Sequence, residues 1–177
     1  MKKIIVLIIS VLILFLINGK TKENEIIIPN EAIRFRVIAN SNTIYDQNIK
    51  IQIKNLIQNE LLNIIKDSSN IDDTRNTILE HKEELYELAN NKLKELNYDK
   101  ELVMNYGYNY FPEKKYKGVT YKEGKYESLV ITIGDGEGDN FWCVLFPPLC
   151  LLESNDSNME DIEYSFYIKN VISKYFN

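Results

Sequence analysis

Histidine is nearly missing from this chain of 177 residues, where His81 is the only one. It lies among Glu80, Lys82, Glu83 and Glu84, a charged stretch that reads as solvated helix surface, so no base stands ready for a serine or cysteine nucleophile. Cysteine is scarce as well, limited to Cys143 and Cys150. Two cysteines and one surface histidine fall short of the four ligands of a structural zinc site. Positive charge is in deficit, with 21 Lys and Arg against 26 Asp and Glu and a formal net charge of −5. That balance argues against a nucleic-acid partner, because such binding rests on neutralising phosphates. The basic residues are interspersed with acidic ones, so no polybasic patch marks a membrane surface. Carboxylates are plentiful, yet no spacing singles out a pair for acid–base work. The expectation is a protein that is not an enzyme, with no catalytic residue, no cofactor and no metal.

Only one long apolar run occurs. Lys2 and Lys3 precede Ile4 to Ile17, broken only by Ser10. A basic flank before about 7–15 apolar residues is the pattern of an export signal, whereas a spanning helix usually takes about 20. Residues 1–19 are therefore expected to act as a signal peptide or an N-terminal membrane anchor. No small-x-small cleavage site follows, which leaves both open. Residues 20–30 read as a linker and 31–177 as a single domain.

Within that domain, Ile33 to Ala39 alternates apolar and basic before turning apolar, the signature of a strand. Asn40 to Thr43 is a turn cluster. From Asp46 to Lys66 apolar residues recur at three- and four-residue steps, as in an amphipathic helix, and a second such helix is expected over Asp73 to Leu96. Strands follow at Leu102–Phe111, Tyr126–Ile133 and Phe141–Phe146, with a hairpin or loop over Tyr116–Tyr126. A weak stripe over Met159–Phe176 marks a C-terminal helix. One α+β domain is implied: an N-terminal strand, two helices, then a mainly antiparallel sheet with the helices on one face.

The densest stretch is GDGEGDNFWCVLFPPLC, residues 134–150. Its glycines do not feed a helix N-terminus, and three carboxylates would repel a phosphate. Asp135, Glu137 and Asp139 alternate like calcium ligands, but Phe146 stands where the twelfth-position Glu of such a loop belongs. A solvated hairpin turn, its glycines supplying positive φ, accounts for the pattern. Trp142 and Val144 are expected to be buried. Were the chain extended from Cys143 to Cys150, their Cα atoms would lie roughly 23 Å apart at ~3.3 Å per residue. A disulfide needs about 4.4–6.8 Å. The bond requires a reversal at Phe146-Pro147-Pro148, which prolines permit, although they equally suit an extended segment.

Two segments carry a resemblance. Ile33–Lys50, IRFRVIANSNTIYDQNIK, and Phe111–Cys150, ending YESLVITIGDGEGDNFWCVLFPPLC, resemble the stage II sporulation protein R family of spore-forming Gram-positive bacteria. Ser128 stands where that family usually has Ala, and Phe141 replaces the first of two tryptophans. The resemblance implies an exported forespore protein acting in the space between forespore and mother cell. There it would trigger a membrane-embedded aspartic protease of the mother cell, which removes the pro-sequence of sigma factor E. The partner-binding candidates are then Arg34 and Arg36 on the first strand, Asn40, Ser41, Asp46 and Gln47 at the strand–helix junction, and Trp142, Phe146, Pro147 and Pro148 around the cysteines. Each has a plainer reading: a solvated strand face for the arginines, turn and helix caps for the junction, strand termination for the prolines. Two rival functions stand beside the signal, a carboxylate-dependent cell-wall hydrolase and a structural component of the spore envelope.

Overall fold

A computed structural model describes residues 26–116, 119–150 and 161–176. The expected export segment, 1–19, lies outside them. The elements run β1 (Ile26–Ile27), β2 (Ile33–Ile38), α1 (Ile44–Ile65), α2 (Ile71–Glu80), α3 (Lys82–Glu95), β3 (Leu102–Phe111), β4 (Lys114–Tyr116), β5 (Val119–Tyr121), β6 (Gly124–Ile133), β7 (Asn140–Phe146) and α4 (Asp161–Phe176). This is the α+β order expected, ending in the C-terminal helix. Among the described residues no helix is long and apolar enough to cross a membrane.

The main sheet has the order β3-β6-β2-β7. β3 and β7 run antiparallel to their neighbours, while β2 and β6 are parallel. Parallel neighbours need a long crossover, and α1 to α3 lie in the chain between β2 and β6. Alternation along β2 sends Ile33, Phe35 and Val37 to the helix side, where they join Ile49, Ile53, Ile57 and Leu61 of α1 and Leu129, Ile131 and Ile133 of β6 in the principal core. Cutting Leu61 back to alanine there would cost about 2–5 kcal/mol. A second, smaller sheet, β1-β5-β4, joins α4 over part of the other face, burying Ile28, Val119, Tyr121, Val144, Leu149 and Ile168 together. Ile26–Ile27 pair with β5, so the expected linker gives way to folded chain by residue 26.

Two expectations are corrected. The helix read over Asp73–Leu96 is two helices, α2 and α3, parted at His81 (φ −97°, ψ 4°), whose backbone N–H and ring Nδ1 both meet the Thr77 carbonyl. The apolar steps Ile78, Leu85, Ala89 and Leu93 run through the break, so periodicity cannot register it. The stretch 134–139 is no hairpin turn either, because β2 lies between β6 and β7. The loop crosses the end of β2, and only its positive-φ glycines, Gly134 (57°) and Gly136 (67°), fit the expectation.

Candidate partner-binding face

The turn after β2 and the loop after β6 are locked together. Thr43 caps α1 by accepting from the Asp46 N–H at 3.2 Å. Asp46 Oδ2 then accepts from Asn40 Nδ2 at 2.8 Å and Ser41 Oγ at 2.6 Å, and its Oδ1 from Tyr98 Oη at 2.7 Å. These donors, Ser41 first and then Asn40, hold the carboxyl down at about 2. Asn40 turns its Oδ1 to the Asp135 N–H at 3.0 Å, and the carbonyls of Ala39 and Asn40 accept from Gly138 and Glu137. Gln47 Nε2 donates to the Ser41 carbonyl at 3.0 Å, and buried Lys50 donates to the Asp139 carbonyl at 3.1 Å. The glycines are dictated by this approach. A Cβ on Gly138 would stand 2.6 Å from the Ser41 carbonyl carbon, and one on Gly134 would stand 2.8 Å from Asn40 Cγ. Asn40, Ser41, Asp46 and Gln47 therefore come together at the strand–helix junction, but their polar atoms are spent inside the molecule.

Arg34 and Arg36 leave β2 on the face away from α1. The plain reading of a solvated strand fails for Arg34, which is 2% exposed. Its guanidinium stacks 3.4 Å over the Tyr126 ring, with Phe111 and Tyr121 at 5.3 and 5.9 Å. Burial pulls its basicity below the ordinary arginine value, an effect the neighbouring tyrosines partly oppose. Half-buried Arg36 donates from Nη1 to the Tyr110 carbonyl and lies 5.6 Å from the Trp142 ring. Trp142 packs edge-on against Phe111 at 5.1 Å and stays half-buried, whereas Val144 is fully buried as expected.

The proline lobe is a third arrangement. Cys143 and Cys150 are bonded, with Cα atoms 5.2 Å apart, and the Phe146–Pro147 peptide is cis. Gln58 of α1 donates to the Cys150 carbonyl at 2.9 Å, pinning the lobe to the core. Phe146 is buried beneath Tyr175 and Phe176 of α4, and Pro147 is buried as well; only Pro148 is partly open, beside a cavity of about 140 Å³. Phe146 and Pro147 thus serve packing, not an open surface. The partners that sequence reasoning passed over are Phe111, Tyr126, Tyr98 and Lys50. Phe111 and Tyr126 fall on the arginine face by strand alternation, a signal present in the sequence; nothing local ties Tyr98 or Lys50 to the junction.

Among the described residues no group of three His, Cys, Asp or Glu is placed to hold a metal. Asp135 instead pairs with Lys100 at 3.2 Å. The other buried carboxylate, Glu127, is gripped by Arg75 at 2.5 and 2.8 Å and by Tyr106 Oη at 2.7 Å, which depresses its pKa and ties α2 to the sheet.

An α+β domain whose distinctive residues are joined in a locked junction, a disulfide lobe and an arginine–aromatic face is the class these features define. The family model for stage II sporulation protein R (spore_II_R) matches residues 29–156. A protein of Bacillus subtilis (strain 168) named Stage II sporulation protein R is 34% identical over 145 residues, covering 81% of this chain and 65% of the relative's length. The chain belongs to the stage II sporulation protein R family. No solved structure matches it.

Proposed function

We propose that this protein is an exported signal of endospore formation. In this reading it is made in the forespore and passes into the space between the two membranes. There it binds the outer face of a membrane-embedded aspartic protease of the mother cell and favours that enzyme's active form, leading to processing of the sigma factor E precursor. Family membership across residues 29–156, which supports a sporulation role, carries the proposal. A ligand shifts such an equilibrium only through higher affinity for the active form, typically by about 1–3 kcal/mol. The chemistry of bond cleavage then belongs to the partner. In keeping with that, Asp46 and Glu127 both have depressed pKa values and accept hydrogen bonds on both carboxyl oxygens, so neither is a proton donor near neutral pH.

The test is deletion of the gene in the parent organism, with the sigma factor E precursor followed by immunoblot during sporulation. The precursor is expected to persist, and to be processed again when the gene is restored. Normal processing in the deletion strain would refute the signalling role.

A further inference from the structure

Arg34 is the one cation in the described core whose nitrogens Nε, Nη1 and Nη2 all lack an acceptor. Buried arginine is ordinarily paired, because an isolated charge out of water costs several kcal/mol. The stacked Tyr126 ring offsets about 2 kcal/mol of that. The guanidinium borders a cavity of about 20 Å³ that is also lined by Phe111, Tyr121, Trp142 and Lys114. The Trp142 indole N–H, too, has no acceptor among the described residues. One water fits a space of roughly this size, yet its two lone pairs cannot serve five guanidinium N–H groups and an indole N–H, and it brings no charge. A carboxylate brings about four acceptor sites and one negative charge, in the planar geometry a guanidinium fork matches. The rim supplies exposed Lys114, whose Nζ lies 5.2 Å from the Trp142 ring. The cavity is far below the roughly 300–1,000 Å³ that encloses a whole small molecule, so it accepts only the tip of something larger.

We propose that the Arg34–Trp142 cavity is a recognition site for a side-chain carboxylate presented by a partner polypeptide. As an account of where the receptor docks, this rests on the proposed function; as a carboxylate site, it is measurable without it.

Trp142 is the only tryptophan in the chain, so tryptophan emission comes from a residue in this cavity's wall. The experiment titrates a capped Gly-Glu-Gly peptide into the purified full-length chain and follows that emission, with capped Gly-Gln-Gly and free acetate in parallel. The Glu peptide is expected to give a saturable, salt-sensitive change, at about tenfold or more higher affinity than either control. Arg34→Met should abolish the response while retaining the thermal melt of the parent. Arg34→Lys, which keeps the charge and loses the fork, should weaken binding about tenfold and serves in its place if the Met variant does not fold. Equal responses to the Glu and Gln peptides, no response to either, or an undiminished response in the folded variants would overturn the site. Acetate binding as tightly as the peptide would overturn the polypeptide occupant. A deletion strain that processes the sigma factor precursor normally would remove the receptor and leave the titration standing.

Discussion

Beyond the C-terminal end of β2, in the first turn of α1, Asp46 receives hydrogen bonds from Asn40, Ser41 and Tyr98. On β2 itself, Arg34 offers its guanidinium to aromatic faces and to no acceptor. Both groups are charged and both are buried, but only one is satisfied. A satisfied network rigidifies the fold it sits in, while an unsatisfied one is costly and calls for an explanation. Both family segments contribute to both regions. The Asn-Ser turn and the glycine-rich loop hold each other in place, while Arg34 is enclosed by aromatic rings that offer it no acceptor. Substitutions at the junction should cost stability, and substitution at Arg34 should not.

The largest loss is expected from Gly138→Ala, because the new Cβ would meet Ser41 backbone that cannot swing aside. Destabilisation of about 3 kcal/mol or more should appear as a lower urea midpoint. A midpoint within error of the parent would show that the loop is not clamped to the junction. Opening the disulfide comes next. Its closed loop of about eight residues gives about 2.5 kcal/mol by chain entropy. Cys143→Ser, Cys150→Ser and the double variant should lose similar amounts; impairment of only one single variant would contradict a shared bond.

Asp46→Asn should cost about 2 kcal/mol near neutral pH, as charge-assisted hydrogen bonds are lost. Its loss of stability also depends on pH. The folded carboxyl titrates at about 2 against an ordinary 3.8, so the unfolded chain takes up the proton first as pH falls. The stabilisation is complete above about pH 4 and disappears as pH drops through about 2. Glu127, depressed by Arg75, contributes an acid slope of the same sign. Urea midpoints measured from pH 5 down to 2 should fall less steeply in Asp46→Asn than in the parent. Identical slopes would place the low pKa elsewhere.

Much of this was legible in the sequence, for reasons that also mark where legibility ends. The strand IRFRVI, the stripe of α1, β3, β6 and β7 all follow from periodicity. So does the placing of both arginines on one face. The long second helix misled because the Ile78-to-Leu85 step spans the break at His81. The hairpin misled because glycines and acids report a turn but not which strand lies next door; the insertion of β2 between β6 and β7 is tertiary. At the site, alternation put Arg34 and Arg36 on a common face but could not say that Phe111, Tyr121 and Tyr126 would enclose the first and leave the second half-open. Asn40, Ser41 and Asp46 were legible as caps of a turn and a helix, but the cap of α1 is Thr43, and Asn40 and Ser41 donate to the Asp46 side chain instead. What they also grip lies more than 90 residues further on.

Arg34→Met carries the smallest expected effect and divides the two regions most cleanly. Methionine keeps a similar unbranched reach and fills irregular apolar space well. It loses the stacking on Tyr126, worth about 2 kcal/mol at most. It also relieves a desolvated charge with no hydrogen-bond acceptor, and exchanging buried ionic groups for apolar ones of like volume is often neutral or stabilising. The two terms are similar in size and opposite in sign, so the urea midpoint should stay within about 1 kcal/mol of the parent, or rise. A residue kept for packing would behave like Asp46 and lose stability when replaced. One kept for a partner leaves the fold unharmed and removes the binding. A loss of 2 kcal/mol or more in this variant would return Arg34 to the architecture of the fold and erase the distinction between the two clusters.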